Sequence, residues 1–531
     1  MIENRGSQIP SPKPLVISLL AILIVCFTIF FTVQLVLHYR SFASRSLDLG
    51  NMNQAIWNTL HGRPFHQTNQ PGVTNRLSLH VEPILIPISW LYLIYSTPEI
   101  LFLLQAIVVA LGAIPIFALA RWKLRNHKLE VCDSWYDVLA LLFAFVYLMY
   151  PPLQGATLLD FHAVTLAPTF LLATFYYLET RRPIHFAIFA MLAMACKEEI
   201  SLLIMMMGLY ALLIHRQYRW GLVTIILSLT WAYLAVFAIP PMFAGTENQH
   251  WNRYQHLGES PIDMVLNIFR QPMLYINHLK SIQAIEYIGF LLMPIAYLAL
   301  LNPIPLLLGL PSLGINLLSS FPAMQEVNRL IYVAPIVPSV MIASIYGTSN
   351  LLRFIQKTCR TGILPVYVVR TGCPHSMIAI GLIILMATVM YHADYGYFPG
   401  GGQFRGWEKV TAHHQKAYRI FEQIPPDAKL SAHDRLDPHV SQRETIYIFD
   451  LINDADHIVL DVTASSWPLH PIQLQQRVTE FLNDDFGIVS AWDGYLLLAR
   501  NRSNLPKTLP DKFYDFARIM VWDLLRLMMV A

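Results

Sequence analysis

Charge is what this chain most lacks. Only 13% of its 531 residues are Asp, Glu, Lys or Arg, about half of the roughly 25% usual in a soluble domain. Hydrophobic residues make up 55%, and the mean hydropathy is +0.45. A net charge of +3 is too small to argue for nucleic acid, so no nucleic-acid partner is expected. The 12% aromatic content is the opposite of a disordered composition. Cysteine is sparse as well: Cys26, Cys132, Cys196, Cys359 and Cys373 form no C-x-x-C and no metal-ligand spacing, which implies neither a zinc site nor a disulfide framework. P-loop, Rossmann, nucleophile-elbow and H-E-x-x-H signatures are all missing, so ATP-driven transport and serine hydrolase chemistry have no support.

What is present is a series of long apolar runs. A bilayer core needs about 20 apolar helical residues. The candidate spans are 15–37, 98–120, 136–152, 165–178, 185–196, 200–214, 220–241, 285–301, 304–318, 330–348 and 375–391. The uncharged run from Pro14 to Leu37 exceeds the 7–15 residues of a signal-peptide core and is read as a retained first span. Basic residues place the N-terminus in the cytoplasm, with Arg121, Lys123, Arg125, Lys128, Arg181, Arg182, Arg216, Arg219, Arg353, Lys357 and Arg360 on the inner side. Residues 183–214 would stretch about 48 Å as one helix, so they form a tight pair with Lys197, Glu198 and Glu199 at its outer tip. Residues 83–96 are too short to cross and suit an interfacial or re-entrant element.

The expected fold is thus a mostly α-helical polytopic membrane protein with about 11 transmembrane helices. It comprises a membrane domain, 1–391, with a first outer loop at 38–82, and a soluble α/β extracytoplasmic domain, 392–531. In the second part short β-like runs (Thr445–Phe449, His457–Val462, Tyr495–Ala499) alternate with helical stretches near 408–423 and 470–484. The Arg-Thr-Gly repeat in 359–374 reads as an insertion without chemistry.

Ionisable groups near lipid are costly and need partners or a water-filled cavity; here they gather on the outer side. Leu49, Met52, Ala55, Ile56 and Leu60 have the spacing of an amphipathic helix, expected to lie on the membrane surface with Gly62 ending it. Asp48 stands at its start, as an N-cap, as a fixed carboxylate able to act as general base or metal ligand, or as both. Asp160 and His162 sit at an outer turn, and Lys197 and Glu198 suit a lipid phosphate and a metal or an acceptor, or simply pair with each other. His80 and Glu82 open the re-entrant run, and Arg329 precedes a proline-broken span. Trp251, Arg253, Tyr254 and His256 read as an interfacial aromatic patch. His433, Arg435, His439 and Arg443 read as polar surface.

The strings SLDLGNMNQAIWNTLHGRPF, LHVEPILIPISWLY, PEILFLLQAIVVALGAIPIFALAR, YPPLQGATLLDFHAVTLAP and ACKEEISLL, followed by IPPDAKLSAHDRLDPHVSQRETIYIF and DADHIVLDV, resemble a family of prokaryotic multi-pass membrane proteins with a domain-of-unknown-function label. That family is grouped with the GT-C glycosyltransferases, which take a sugar from a polyprenyl-phosphate carrier on the outer face. The resemblance implies a GT-C-like fold in the plasma membrane, a polyprenyl-phosphate sugar donor, and a glycan, lipid or protein acceptor. It makes Asp48 the catalytic position and puts Lys197, Glu198, Asp160 and His162 around the vestibule. Asp48 has no acidic neighbour, which leaves a divalent metal ion as an open cofactor. Relatives commonly carry Tyr-His-Tyr where this chain reads Arg329-Leu330-Ile331-Tyr332, so that histidine's role is either absent here or taken by Arg329. The rival expectation is a non-catalytic transporter or binding scaffold for lipid-linked glycans, which ranks second because no internal repeat is apparent.

Overall fold

A computed structural model describes residues 12–126, 133–244, 249–360, 373–501 and 505–508. Lys128 and most of the Arg-Thr-Gly repeat lie outside the described residues. Each predicted span is helical over most of its length. Five helices are long and apolar enough to cross a bilayer: Pro14–Arg40, Glu99–Arg125, Tyr218–Phe243, Ile331–Thr358 and Ser376–Tyr395. A sixth arises if Ser134–Leu148 and Pro151–Leu158, bent by 43°, count as one span. The prolines at 151 and 152 break it there, since neither can donate to the helical ladder. Five further apolar helices are shorter: Ala163–Glu179, Pro183–Met194, Ile200–Leu213, Ala284–Ile295 and Ile304–Leu318. Length and composition therefore mark five or six crossings among the described residues.

Burial orders the bundle. The Ile331–Thr358 helix is its axis, with 94% of its apolar window buried, whereas Tyr218–Phe243 has only 11% buried and faces outward. Residues 85–93 form two short helical turns, too short to cross. Trp90, Leu93 and Ile94 are exposed there, as suits an element lying in lipid headgroups.

The C-terminal part is a five-stranded sheet in the order β2-β1-β3-β5-β4. The strands are β1 (Leu430–Ala432), β2 (Ile446–Ile448), β3 (His457–Asp461), β4 (Phe486–Trp492) and β5 (Tyr495–Arg500). Strands β2, β1 and β3 are parallel, and β5 and β4 continue antiparallel. Because side chains alternate along a strand, Val459 packs with Ala417 and Ile420 of the Ala412–Phe421 helix on one face. Ile458 and Leu460 pack with Leu474 and Val478 of the Pro471–Asn483 helix on the other. The result is a three-layer α/β unit.

Two expectations about the first loop need correction. The chain turns helical at Ser46, in a π-type turn Ser46–Gly50 that runs into the Asn51–Leu60 helix. Asp48 lies inside that turn, so it caps nothing. Nor is the helix a surface element. Leu49, Met52, Ala55 and Ile56 are buried against the bundle, and Asn51, Asn53, Gln54 and Asn58 are buried too. The Asn53 amide donates to the Pro438 carbonyl (3.1 Å) and Ser441 Oγ (2.8 Å). Gln54 and Asn58 donate to the carbonyls of Glu444 (3.0 Å) and Arg443 (3.1 Å). The polar face thus meets the α/β unit rather than water.

Of the expected polar surface at 433–443, His433 and Arg443 are buried, and Arg435 and His439 are half-buried. His439 stacks on Phe42 at 3.8 Å, and burial depresses its imidazole to about 3. Arg443 donates to the carbonyls of Val440 (2.7 Å) and Ala428 (3.0 Å).

Candidate functional site

A cavity of about 1040 Å³ opens between the first loop and the bundle. Its polar floor comes from four segments distant in sequence: Asp48 from the π turn, Arg76, His80 and Glu82 from the loop that follows, His162, and the Lys197–Glu199 tip. The opposite wall is apolar, made of Leu229, Tyr233 and Phe237 from the outward-facing helix and Met264, Val265 and Ile268 from the Pro261–Arg270 helix. The Tyr218–Phe243 helix that supplies part of this wall is scarcely buried and apolar enough to cross a membrane.

Asp48 presents its carboxylate to the cavity, with 34% of the side chain accessible. Its Oδ1 lies 3.6 Å from His162 Nε2. His162 Nδ1 lies 2.8 Å from the Leu159 carbonyl and can only donate to it. That bond directs Nε2 towards the carboxylate. Burial pushes the Asp48 carboxyl up, but the His162 contact and charge, with Arg45, outweigh it and leave the group below the ordinary carboxylate range. Asp160 behaves differently. It is buried behind the cavity wall, accepts from Ser44 Oγ at 2.6 Å, and burial raises its carboxyl. Two acidic groups on facing turns are thereby driven apart in acidity, and Asp48 is the one kept ionised.

The His162 turn is held by Gln105, which is not among the residues that the sequence singles out. Its amide nitrogen donates to the carbonyls of Thr157 and Asp160, both at 2.7 Å. Its oxygen accepts from the His162 backbone N–H (3.0 Å) and Thr165 Oγ1 (2.6 Å). An uncharged polar residue within FLLQAIVV is the available signal, because a buried amide in a span needs partners.

On the other side of the floor, Lys197 Nζ is 3.5 Å from Glu199 and 5.7 Å from the Tyr332 ring centroid. Burial opposes its charge, yet Glu199 and Glu198 outweigh burial and raise the ammonium above its ordinary value. Glu198 is anchored by His80 Nδ1 (3.0 Å) and the Val81 backbone N–H (3.3 Å). Burial, helped by Lys197, depresses His80 to about 3, so the ring is neutral. Glu82 is tied to Arg76 at 2.5 Å, with both buried.

Arg253 also lines the cavity; its guanidinium lies 4.8 Å from the Phe321 centroid and has no carboxylate in ion-pair reach among the described residues. Its place is therefore the cavity rather than the interfacial aromatic patch that its neighbours suggest. Arg329, expected at the site, is exposed and outside the lining, and Tyr332 three residues on takes its place. Among the described residues no group of three or more His, Cys, Asp or Glu side chains can hold a metal ion. The site's carboxylates are instead each committed to a cation or a ring nitrogen.

Residues 38–497 match a family model described as predicted membrane protein (DUF2079). The crystal structure of ArnT from Cupriavidus metallidurans bound to undecaprenyl phosphate superposes with a TM-score of 0.51 at 14% identity, covering 93% of this chain and 99% of that one. The same protein in its apo state gives 0.48 at 12% identity over the same shares. No curated protein matches the chain. At such identity the likeness is one of fold: the architecture is ArnT-like, as the GT-C-like expectation required.

Proposed function

This chain belongs to the DUF2079 family of predicted membrane proteins, and we propose that it is an integral-membrane glycosyltransferase. In this reading it moves a sugar from a polyprenyl-phosphate donor to an acceptor at the outer face of a prokaryotic plasma membrane. The observation that carries the reading is one cavity with an ionised carboxylate on its floor, cations beside it and an apolar wall bordering the bilayer. The ArnT structure of like fold is bound to undecaprenyl phosphate, which supports a lipid-linked donor.

The polyprenyl chain lies along Leu229, Phe237 and Val265, and its phosphate meets Arg253 and Lys197. Arg253 suits that task because a guanidinium with no carboxylate in ion-pair reach among the described residues can take two phosphate oxygens at once. Asp48 accepts the proton of the acceptor hydroxyl as that oxygen bonds to the anomeric carbon, and the carbon–oxygen bond to phosphate breaks in line on the far side. The electron pair leaves with the polyprenyl phosphate, whose charge Lys197 and Arg253 balance. His162, 3.6 Å away, keeps Asp48 oriented.

The test is release of free polyprenyl phosphate from radiolabelled polyprenyl-phosphate sugars by protein in lipid discs, with an envelope acceptor fraction. A carboxylate base contributes roughly 10²–10⁴-fold, and Asp48→Asn should lose turnover by that factor with its fold intact. Equal release by both proteins would remove Asp48 as the base. Lipid retention without release by either would favour the transporter reading.

A further inference from the structure

Gly50 ends the turn that carries Asp48, and its backbone is ordinary right-handed helix, φ −57° and ψ −46°. Alanine would fit that conformation better by about 1 kcal/mol, so conformational freedom does not explain the glycine. Space does. A Cβ at Gly50 would sit 2.0 Å from Asp437 Oδ1 and 3.3 Å from Asn69 Nδ2. Asp437 belongs to the segment after β1 in the α/β unit and is fully buried. The same segment grips the turn at its start: the Ser46 N–H donates to both the carbonyl and Oδ1 of Asp434, each at 3.0 Å. Thr68 and Asn69 complete the joint at the β2 edge, where Ile446 N–H donates to Thr68 Oγ1 (2.9 Å) and Ile448 N–H to the Asn69 carbonyl (3.0 Å).

We propose that the α/β unit is a fixed support behind the catalytic site, in which the close contact of Gly50 with Asp437 sets the position of the Asp48 turn. Gly50, Asp434 and Asp437 are positioning residues in this scheme, and it rests on the glycosyltransferase reading. Gly50→Ala needs about 1.4 Å more room to bring the 2.0 Å approach to an ordinary 3.4 Å contact, and because the Asp437 carboxylate is fully buried beside Asn69 that movement is shared between the carboxylate and the turn. Displacements near 1 Å at a reacting group cost about 10²-fold in rate.

The test compares native protein, Gly50→Ala and Gly50→Ala/Asp437→Ala in lipid discs. Gly50→Ala should exchange the amides of 46–54 and 444–449 about tenfold faster for deuterium. It should also lower kcat about 10²-fold while leaving the donor KM unchanged. The double variant, with the obstructing carboxylate removed, should recover protection and most of kcat. Native-like exchange in Gly50→Ala, fast exchange with native kcat, or a double variant no better than the single would each overturn the proposal. A native protein that turns over no donor fails the glycosyltransferase reading by itself, while the exchange pattern still decides whether this contact holds the joint.

Discussion

Asp437 also makes the joint sensitive to pH, and the effect can be sized. Burial is the main cause that drives its carboxyl from 3.8 to about 7. The groups facing it are Ser46 and Asn69 from the first loop, Asp434 beside it, which raises it further, and Arg443, which lowers it. Arg443 is itself lowered only to about 10 by burial and stays charged. The sign follows from proton counts. Below pH 3.8 the group is protonated whether the joint is folded or not. Between 3.8 and about 7 the unfolded chain releases a proton that the folded one keeps, so stability falls as pH rises, levelling off above 7. A shift of about 3 units corresponds to about 4 kcal/mol. Asp437→Asn is neutral and nearly isosteric, so it removes that slope. In thermal unfolding of the full chain in lipid discs at one scan rate, the native midpoint should drop between pH 5 and pH 8. That of Asp437→Asn should stay flatter and lie above native at pH 8. Parallel profiles, or a variant less stable than native at pH 8, would refute a carboxyl held neutral in the joint.

Arg253→Ala should lower kcat/KM for the donor about tenfold to 10²-fold, through a raised KM and a reduced kcat together because the departing phosphate gains charge, since a hydrogen bond to a charged group is worth roughly 1.5–3 kcal/mol; Arg253→Lys should recover part of it, as donor titrations would read. Gln105→Leu strands the buried carbonyls of Thr157 and Asp160 and the His162 N–H. It should cost about 2–4 kcal/mol in thermal stability and lower kcat as His162 loses its place. Asp48 is held below 3.8 by His162 and Arg45 against burial, so its acid limb in kcat/KM should fall below that pH. A limb near pH 6 that moves in Asp48→Glu would contradict this.

The bundle is legible in the sequence because membrane helices announce themselves by composition over one contiguous window: the eleven expected spans are helical over most of their length, though five or six helices are long and apolar enough to cross among the described residues. Six of the eight residues expected at the site line one cavity: Asp48, His80, Glu82, His162, Lys197 and Glu198. Ionisable side chains near lipid are few enough that they converge on whatever polar space exists. Asp160 stands one layer behind, and Arg329 turns outward, because position beside a span says nothing of which way a side chain points. Arg253 is hidden by its neighbours: Trp251 and Tyr254 fit a headgroup belt, yet both also line the cavity.

The joint between residues near 50 and residues near 440 is harder to read, and the cause is specific. Apolar spacing over 49–60 is the same whether the opposite face meets water or protein, so periodicity alone cannot choose. The chemistry of the polar face can. A helix held on a bilayer surface carries Lys or Arg there, whereas this one, between Arg45 and Arg63, offers Asn51, Asn53, Gln54 and Asn58 and no cation. Amides donate and accept in fixed directions and gain little from headgroup charge. Here they find carbonyls: Asn53 that of Pro438, Gln54 that of Glu444, Asn58 that of Arg443. An uncharged amide stripe is therefore the mark of a face meant for backbone. Together with Gly50, a glycine at a helical φ where alanine would be preferred, it marks the Asp48 turn as one clasped by a second folded unit.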